Sequence, residues 1–278
     1  MTVEADFKFY KKNGFLIKKD LISKNNLKII NKEIQNLRVK KFNDKNFFEH
    51  KIINKKKYLI RLKDPHLKSK IFYNLSRNKK IIDVVSKLLG GTVRFHHSKL
   101  NFKLPQKNGG IVDWHQDWSF YPHTNDDLLA VGIYLEDCFE DNGPLKVLTG
   151  SQKGKLFDHH YKGNFVGKIN AKINSKKVVS LTGTAGTVTF HHVRTAHASG
   201  FNLTDNSRPL MLFGFAAVDA WPLTYDVGSS EDPNNNLNNY NKLIVRGKKT
   251  LVPRIEKVPI KIPLPRKSDS IYTLQNKK

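Results

Sequence analysis

The sequence of 278 residues is poor in cysteine, with Cys138 as its only one. A disulfide framework within the chain is therefore excluded, and we expect the protein to work in a reducing compartment, the cytoplasm. Long apolar runs are also missing. No stretch reaches the roughly 18 apolar residues that a membrane-spanning helix needs, so no span is expected. The opening MTVEADFKFYKKNGF lacks the apolar segment of a secretory signal, and we expect no signal peptide.

Acidic residues are few relative to basic ones, 24 against 49, which gives a formal net charge of +25. Such a charge is often found in nucleic-acid-binding proteins. Nine of the basic residues are Arg, however, and the Lys residues are spread along the whole chain. Because a phosphate-binding face usually clusters Lys and Arg, we interpret the charge as compositional and do not expect nucleic acid as a partner. The sequence does not indicate the oligomeric state of the protein.

The pattern of apolar residues divides the chain into three parts. Residues 1–91 contain apolar residues at helical spacing and are predicted to be mainly helical. Residues 92–221 contain many short β-branched and aromatic segments separated by Gly, Asn and Pro, which predicts a β core of the sandwich, jelly-roll or barrel type. Residues 222–278 are predicted to form a C-terminal extension, a polar loop followed by an extended Pro-rich segment.

The segment DWHQDWSF, residues 113–120, places a His and an Asp two positions apart. Alternate side chains of a strand share a face, so His115 and Asp117 can point toward one metal ion. By itself such a pair is a weak signal, because short motifs of this kind are common by chance. The interpretation therefore depends on a third ligand elsewhere in the chain.

The segment FHHVRTAHASGFNLTDNSRP contains candidates for that ligand: His191, His192 and His197. Two His and one carboxylate that leave open positions on a metal are typical of non-haem Fe(II) oxygenases. His192 and His197 could also form a zinc pair, although zinc sites of that kind usually include Cys or Glu. Arg208 is followed by the apolar run PLMLFGF and is expected to enter the core, where a buried Arg needs an anionic partner.

Several of these segments together resemble the phytanoyl-CoA dioxygenase (PhyH) family. They are HQD (115–117), NGPLKVLTGSQKG (142–154), AGTVTFHH (185–192), the opening FYKKNGFLIKKDLIS, and the set His197, Ser199 and Arg208. The resemblance covers roughly residues 6–221 and implies one catalytic domain over 1–221. It implies a mainly β protein with flanking helices, a double-stranded β-helix (jelly roll, cupin-like), which uses Fe(II), 2-oxoglutarate and O2.

The resemblance also implies a role for particular residues. His115, Asp117 and His197 match the iron ligands, and Arg208, Ser199 and, more loosely, Asn101 match the residues that bind 2-oxoglutarate. The segment HSKLNFK, residues 97–103, resembles the ectoine-hydroxylase branch of the family. This sequence departs from that branch at His97 and Val112, where a Gln and an aromatic residue would stand, which puts ectoine in doubt as the substrate.

We therefore predict a dioxygenase that hydroxylates an unactivated C–H bond of a small-molecule metabolite and releases succinate and CO2. An oxygenase acting on nucleic acid or protein and a non-catalytic cupin-like binding protein remain as alternatives. A halogenase is disfavoured, because that chemistry needs the carboxylate position vacant and Asp117 fills it. The aromatic residues Trp118, Phe120, Tyr121 and Trp221 are interpreted either as core packing or as walls of the substrate pocket.

Overall fold

The computed structural model of the protein describes residues 2–39, 47–225, 227, 236–268 and 270–275. The helices α1 to α6 are Val3–Asn13, Lys24–Val39, Lys70–Leu75, Lys79–Leu88, Leu237–Lys242 and Ile271–Gln275. The strands β1 to β14 are Phe15–Lys18, Phe48–Ile53, Lys56–Lys63, Val93–Lys103, Val112–His115, Leu128–Tyr134, Leu145–Leu148, His160–Tyr161, Asn164–Phe165, Val178–Leu181, Val188–His192, His197–Ser199, Arg208–Ala216 and Ile244–Arg246.

Two antiparallel sheets form the β core. The larger sheet has the strand order β1-β11-β6-β13-β4-β3-β2, and β14 adds to it by pairing with β4. The smaller sheet has the order β10-β7-β12-β5, and β8 and β9 form a separate hairpin. Strands that are neighbours in space are mostly distant in sequence, as expected for a jelly roll rather than a meander. Residues of both sheets line one internal cavity.

The sequence of each strand reflects its place in the sheets. All seven residues of β6, LLAVGIY, are buried, because this strand lies between β11 and β13 in the larger sheet. In β4 the alternation is clear: Ser98, Leu100 and Phe102 are buried on the core side, while the residues between them face the cavity. The larger sheet therefore contributes one face to the hydrophobic core and part of the other to the site.

The helices of the N-terminal part pack against the larger sheet. Helix α4 begins after Asn78, whose side chain accepts hydrogen bonds from the backbone of Lys80 and Ile81, an N-cap of the usual kind. Its apolar residues enter the same core cluster as Phe95 and Phe213 of the sheet. Among the described residues, no helix is long and apolar enough to cross a membrane.

The C-terminal extension lies against the β core. Its Pro-rich part, residues 252–267, belongs to none of the helices or strands, but the extension also contains α5, α6 and β14, which composition did not indicate. Strand β14 pairs with β4, and α6 contacts β5. The polar segment predicted as a loop falls partly on residues 228–235, outside the described residues. The division at residue 221 stays a prediction.

Candidate active site

Three predicted ligand residues come together where β5 and β12 pair. His115 lies opposite His197 in the register of the two strands, and the ring centroids are 4.0 Å apart. Asp117 begins the 3-10 turn that follows β5. Its Oδ1 lies 3.8 Å from Nε2 of His115 and 3.9 Å from Nε2 of His197. One ligand atom from each residue lies within 4.8 Å of the others, so the three side chains can hold one metal ion.

The backbone fixes the orientation of both imidazole rings. Nδ1 of His115 lies 2.8 Å from the carbonyl oxygen of Asp113, and Nδ1 of His197 lies 2.9 Å from that of Thr195. Because a carbonyl can only accept, each Nδ1 carries the proton and each Nε2 presents a lone pair toward Asp117. Histidines that bind metals usually have such an acceptor hydrogen-bonded to the ring nitrogen that does not face the metal.

The charge states of the three groups also suit a cation. Burial lowers the pKa of His115 well below its ordinary value and lowers that of His197 to about 4, so both are neutral near pH 7. Burial opposes ionisation of Asp117, but its contacts with His191, His197 and His115 outweigh that effect and hold its pKa well below the usual range. Neutral imidazoles and an ionised carboxylate are the forms that bind a metal.

The structure gives different positions to the three candidate histidines, His191, His192 and His197. His192 points elsewhere: its Nδ1 accepts a hydrogen bond from the backbone of Arg194, and its ring lies beside Tyr10. His191 faces the cavity, with Nε2 3.7 Å from Oδ2 of Asp117. Neither ring nitrogen of His191 has a hydrogen-bond partner among the described residues. His191 therefore lies beside the three candidate ligands, a position that the sequence did not predict.

Arg208 also lines the cavity and is held by two backbone carbonyls. Its Nε donates to Asn142 at 3.1 Å and its Nη2 donates to Gly143 at 2.8 Å. Its Nη1 is buried and has no hydrogen-bond partner in the described part of the chain. A buried donor on a permanently charged group is costly unless an anion binds it. The open edge of this guanidinium therefore fits a carboxylate.

Lys103 lies next to Arg208 and is not among the predicted site residues. The two are opposite each other on β4 and β13. Nζ of Lys103 donates to Oγ of Ser199 at 2.7 Å and to the carbonyl of Gly200 at 2.6 Å. Burial and the charge of Arg208 lower the pKa of Lys103 to about 7. Its alternation with Asn101 along the strand was the signal that could have identified it.

A cavity of about 370 Å³ is lined by Arg208 and by His115, Asp117 and His197, which together form the candidate metal-ligand cluster. Asn101 lines it, and its Oδ1 accepts a hydrogen bond of 2.9 Å from Nε of Arg61. Ser199 also lines it, together with apolar residues of β13 such as Leu210 and Leu212. All three ligands and all three residues predicted to bind 2-oxoglutarate thus face the same cavity.

The four aromatic residues are divided between wall and core. Phe120 and Tyr121 line the cavity. Trp118 is fully buried in a separate apolar cluster, and its Nε1 donates to the carbonyl of Pro259 at 2.8 Å. Trp221 packs against Tyr240. Neither Trp is among the described residues that line the cavity, so the structure corrects the pocket interpretation for Trp118 and Trp221, which take part in packing instead.

Comparison with known proteins identifies the family. The model of the phytanoyl-CoA dioxygenase (PhyH) family matches residues 10–210. A probable alpha-ketoglutarate-dependent hypophosphite dioxygenase of Stutzerimonas stutzeri is 42% identical over 225 residues, which cover 78% of this chain and 75% of the relative. Alpha-ketoglutarate is another name for 2-oxoglutarate.

Solved structures share the fold. The apoform of EctD from S. alaskensis superposes with a TM-score of 0.69 at 19% identity and covers 97% of this chain and 89% of its own. The epimerase SnoN in complex with Fe3+, alpha ketoglutarate and nogalamycin RO gives 0.68 at 18% identity, with 83% of this chain and 92% of its own covered. The double-stranded β-helix fold predicted from the sequence is confirmed.

The predicted enzyme class, an iron- and 2-oxoglutarate-dependent dioxygenase with a small-molecule substrate, is also confirmed by these relatives. Both the extent of the family match and the identity to the Stutzerimonas protein support the same assignment. The chain belongs to the phytanoyl-CoA dioxygenase (PhyH) family.

Proposed function

We propose that this dioxygenase binds Fe(II) through His115, Asp117 and His197 and binds the far carboxylate of 2-oxoglutarate through Arg208. One observation carries the proposal: Arg208 lines the same cavity as the three ligand residues, and its buried Nη1 has no hydrogen-bond partner among the described residues. A dicarboxylate can bridge the two, since one end chelates a metal while the other needs a fixed cation.

Ser199, Lys103 and Asn101 complete the 2-oxoglutarate end in this proposal. The Ser199 hydroxyl accepts from Lys103 and can donate its own proton to a carboxylate. Lys103 adds a positive charge beside Arg208. Asn101 lies further along the same face of β4, where Arg61 fixes its amide. The proposal therefore assigns Arg208 and protonated Lys103 to charge recognition, and assigns Ser199 and Asn101 to orientation.

The donor set fits Fe(II), which with 2-oxoglutarate and O2 supplies the oxidising power for a hydroxylation that also yields succinate and CO2. The protein contributes position and exclusion of water. The carbonyls of Asp113 and Thr195 hold the two imidazoles, and the apolar side chains of Leu210 and Leu212 cover the cavity wall. These features keep the reacting groups aligned and dry.

Hypophosphite is the first candidate substrate, because a relative that is 42% identical is named for it. The bond hydroxylated would then be P–H, in place of the metabolite C–H bond that the sequence alone predicted. A cavity of about 370 Å³ lies at the lower end of the range of small-molecule pockets, which favours a small substrate over nucleic acid or protein. A reducing, cytoplasmic location remains part of the proposal, based on the lone Cys138.

Substrate-dependent release of succinate tests this function. Purified protein with Fe(II), ascorbate and 2-oxoglutarate is incubated with hypophosphite, with L-proline, with ectoine and without substrate. We expect succinate release well above the uncoupled background with hypophosphite. If no small molecule raises release above background although iron and 2-oxoglutarate bind, the proposed oxidation of a small molecule is contradicted.

A further inference from the structure

Lys99 is a further cation inside the cavity, and the proposed binding of iron and 2-oxoglutarate leaves it unused. It lies on β4 between His97 and Asn101, on the face that lines the cavity, and its side chain is half-buried. The described residues offer its Nζ neither a hydrogen bond nor an ion pair. An ammonium group with no partner in a partly desolvated cavity is unfavourable unless a ligand supplies the missing charge.

The other basic residues of the cavity differ from Lys99 in this respect. Arg61 forms an ion pair of 3.3 Å with Glu49 and also donates to Asn101. Lys103 is surrounded by carbonyl oxygens and the Ser199 hydroxyl. Arg266 at the cavity has a contact of its own. Lys99 is therefore the cation that lacks a protein partner within the described part of this wall.

The balance of charge in the cavity leads to the same conclusion. Fe(II) would bring two positive charges, which the Asp117 carboxylate and the keto-acid carboxylate of 2-oxoglutarate offset. The far carboxylate is assigned to Arg208. Burial keeps His97 neutral by lowering its pKa well below the ordinary value. Lys103, the other lysine of this face, lies beside Arg208 at the same carboxylate. Neither cofactor is assigned to Lys99, so its charge remains uncompensated after both are counted.

The position of Lys99 would place a bound anion next to the reacting centre. Lys99 lines the same cavity as His115, Asp117 and His197. No ion pair joins Lys99 to Asp117 in the described structure, because that carboxylate lies among His115, His191 and His197. A small anion held by Lys99 would therefore lie beside the metal ligands.

We propose that Lys99 binds the negative charge of the primary substrate, and that the substrate is consequently a small anion. The inference rests on the proposed function and deepens it by naming the substrate class. The shared chemistry is an oxyanion, which a phosphorus acid such as hypophosphite or a small carboxylate can supply. A net-neutral substrate would leave the Lys99 ammonium uncompensated.

Calorimetry under anaerobic conditions tests this inference without depending on turnover. The protein is loaded with Fe(II) and 2-oxoglutarate and titrated with hypophosphite, with propionate and with L-proline, which is neutral overall. The variants are Lys99→Met, Lys99→Gln and Lys99→Arg. The matched control is Lys146→Met, on β7, where the neighbouring Leu145 lines the cavity and the alternation of a strand turns Lys146 away from it.

We expect the wild type to bind at least one of the two anions, and Lys99→Met and Lys99→Gln to bind it at least about 30-fold more weakly, the loss typical when one partner of a buried charge pair is removed. Lys99→Arg should stay within about tenfold of the wild type, since it keeps the charge. Lys146→Met should behave as wild type. The 2-oxoglutarate affinity should be unchanged in every variant.

Three results would overturn the inference. The first is wild-type binding of neither anion, and the second is unchanged anion affinity in the Met and Gln variants. The third is a loss of 2-oxoglutarate affinity in those variants as large as the loss of anion affinity, which would assign Lys99 to the cosubstrate. Failure of the proposed function has a different signature, because the wild type would then not take up Fe(II) and 2-oxoglutarate at all.

Discussion

The two sheets that enclose the cavity contribute different chemistry. The smaller sheet supplies the histidines of the candidate metal-ligand cluster, His115 on β5 and His197 on β12. The larger sheet supplies the basic residues Lys99 and Lys103 on β4 and Arg208 on β13. Nδ1 of each histidine is hydrogen-bonded to a backbone carbonyl, which leaves Nε2 for a metal. Nη1 of Arg208, by contrast, has no hydrogen-bond partner among the described residues. Metal binding needs rigid, neutral ligands, whereas anion binding needs unsatisfied donors.

This division separates what is shared by related enzymes from what selects a substrate. A metal-ligand cluster of one kind can serve many reactions, since function depends on the groups placed around it. On the proposed assignments those groups lie mainly on β4, where His97, Lys99, Asn101 and Lys103 alternate along the face that lines the cavity. Substitutions on the smaller sheet should therefore remove iron, and those on the larger sheet should alter which anions bind.

The largest effect is expected for Asp117→Ala on the metal side. The substitution removes the anionic ligand, so we expect iron binding to be lost and succinate release to fall to background. Asp113→Asn is the matched control, because Asp113 lies on β5, just before the turn that contains Asp117, and its side chain pairs with Lys168. Iron content after gel filtration and succinate release would both be measured. Near-normal iron content in Asp117→Ala would contradict the assignment.

Arg208→Ala should have the next largest effect, on the anion side. Removing one partner of a buried charge pair costs about 2–5 kcal/mol, which corresponds to roughly 30-fold to several-thousand-fold in affinity. We expect the dissociation constant of 2-oxoglutarate to rise by that factor while Fe(II) affinity stays nearly unchanged. Arg208→Lys should be intermediate, because an ammonium cannot form the bidentate fork.

The control for Arg208 is Arg246→Ala, which removes an Arg that pairs with Asp83 at the surface. Keto acids without a second carboxylate should lose much less affinity than 2-oxoglutarate in Arg208→Ala. If Arg208→Ala bound 2-oxoglutarate as tightly as the wild type, the anchor of the far carboxylate would have to be another residue of the larger sheet, and Lys103 would be the first to examine.

His191 is an exception to the division between the two sheets. It lies on β11 of the larger sheet, but its Nε2 is 3.7 Å from Oδ2 of Asp117. We expect His191→Ala to weaken iron binding by about 10- to 100-fold, the range seen when partners of metal ligands are removed. His192→Ala should retain normal iron affinity, since His192 packs on Tyr10. Iron titration of both variants decides this point, and equal affinities in the two would show that His191 does not support Asp117.

The smallest expected effect is a pH dependence of 2-oxoglutarate binding that comes from Lys103. Its pKa is lowered to about 7, so in the free protein it loses its proton as the pH rises through 7. A carboxylate binds the charged form, and binding above pH 7 must therefore take up a proton. Affinity should fall with rising pH by at most about tenfold per unit.

Lys103→Met should bind 2-oxoglutarate more weakly near neutral pH but without this slope, and Ser199→Ala should keep the slope. The dissociation constant would be measured across the pH range for all three proteins at constant ionic strength. An identical slope in Lys103→Met and the wild type would assign the titration to another group.

The sequence predicted three candidate metal ligands that the structure brings together, for a physical reason. His115 and Asp117 belong to one short segment, and the family resemblance distinguished His197 from its two neighbours. The structure adds that His192 faces elsewhere and that His191 adjoins the cluster. That difference depends on how β11 packs against β1 and β6, which the sequence of one segment does not contain.

Other parts of the site could not be predicted from local pattern. The alternation of HSKLNFK places Lys99 and Lys103 on one face of a strand, but only the pairing of β4 with β13 and β3 shows that this face lines the cavity. Trp118 follows the end of β5, in a 3-10 turn where strand alternation no longer applies. Tyr272 reaches the cavity from α6, within an extension whose composition predicted only loop and extended chain.

The most direct test is an anaerobic titration of the protein with Fe(II) and then with 2-oxoglutarate. The visible charge-transfer absorption of the complex monitors binding. We predict saturation at a single iron per chain in the wild type, no absorption in Asp117→Ala, and in Arg208→Ala an absorption that develops only at much higher 2-oxoglutarate. An unchanged titration in Asp117→Ala, or no absorption in the wild type, would contradict the assignment of metal and cosubstrate to the two sheets.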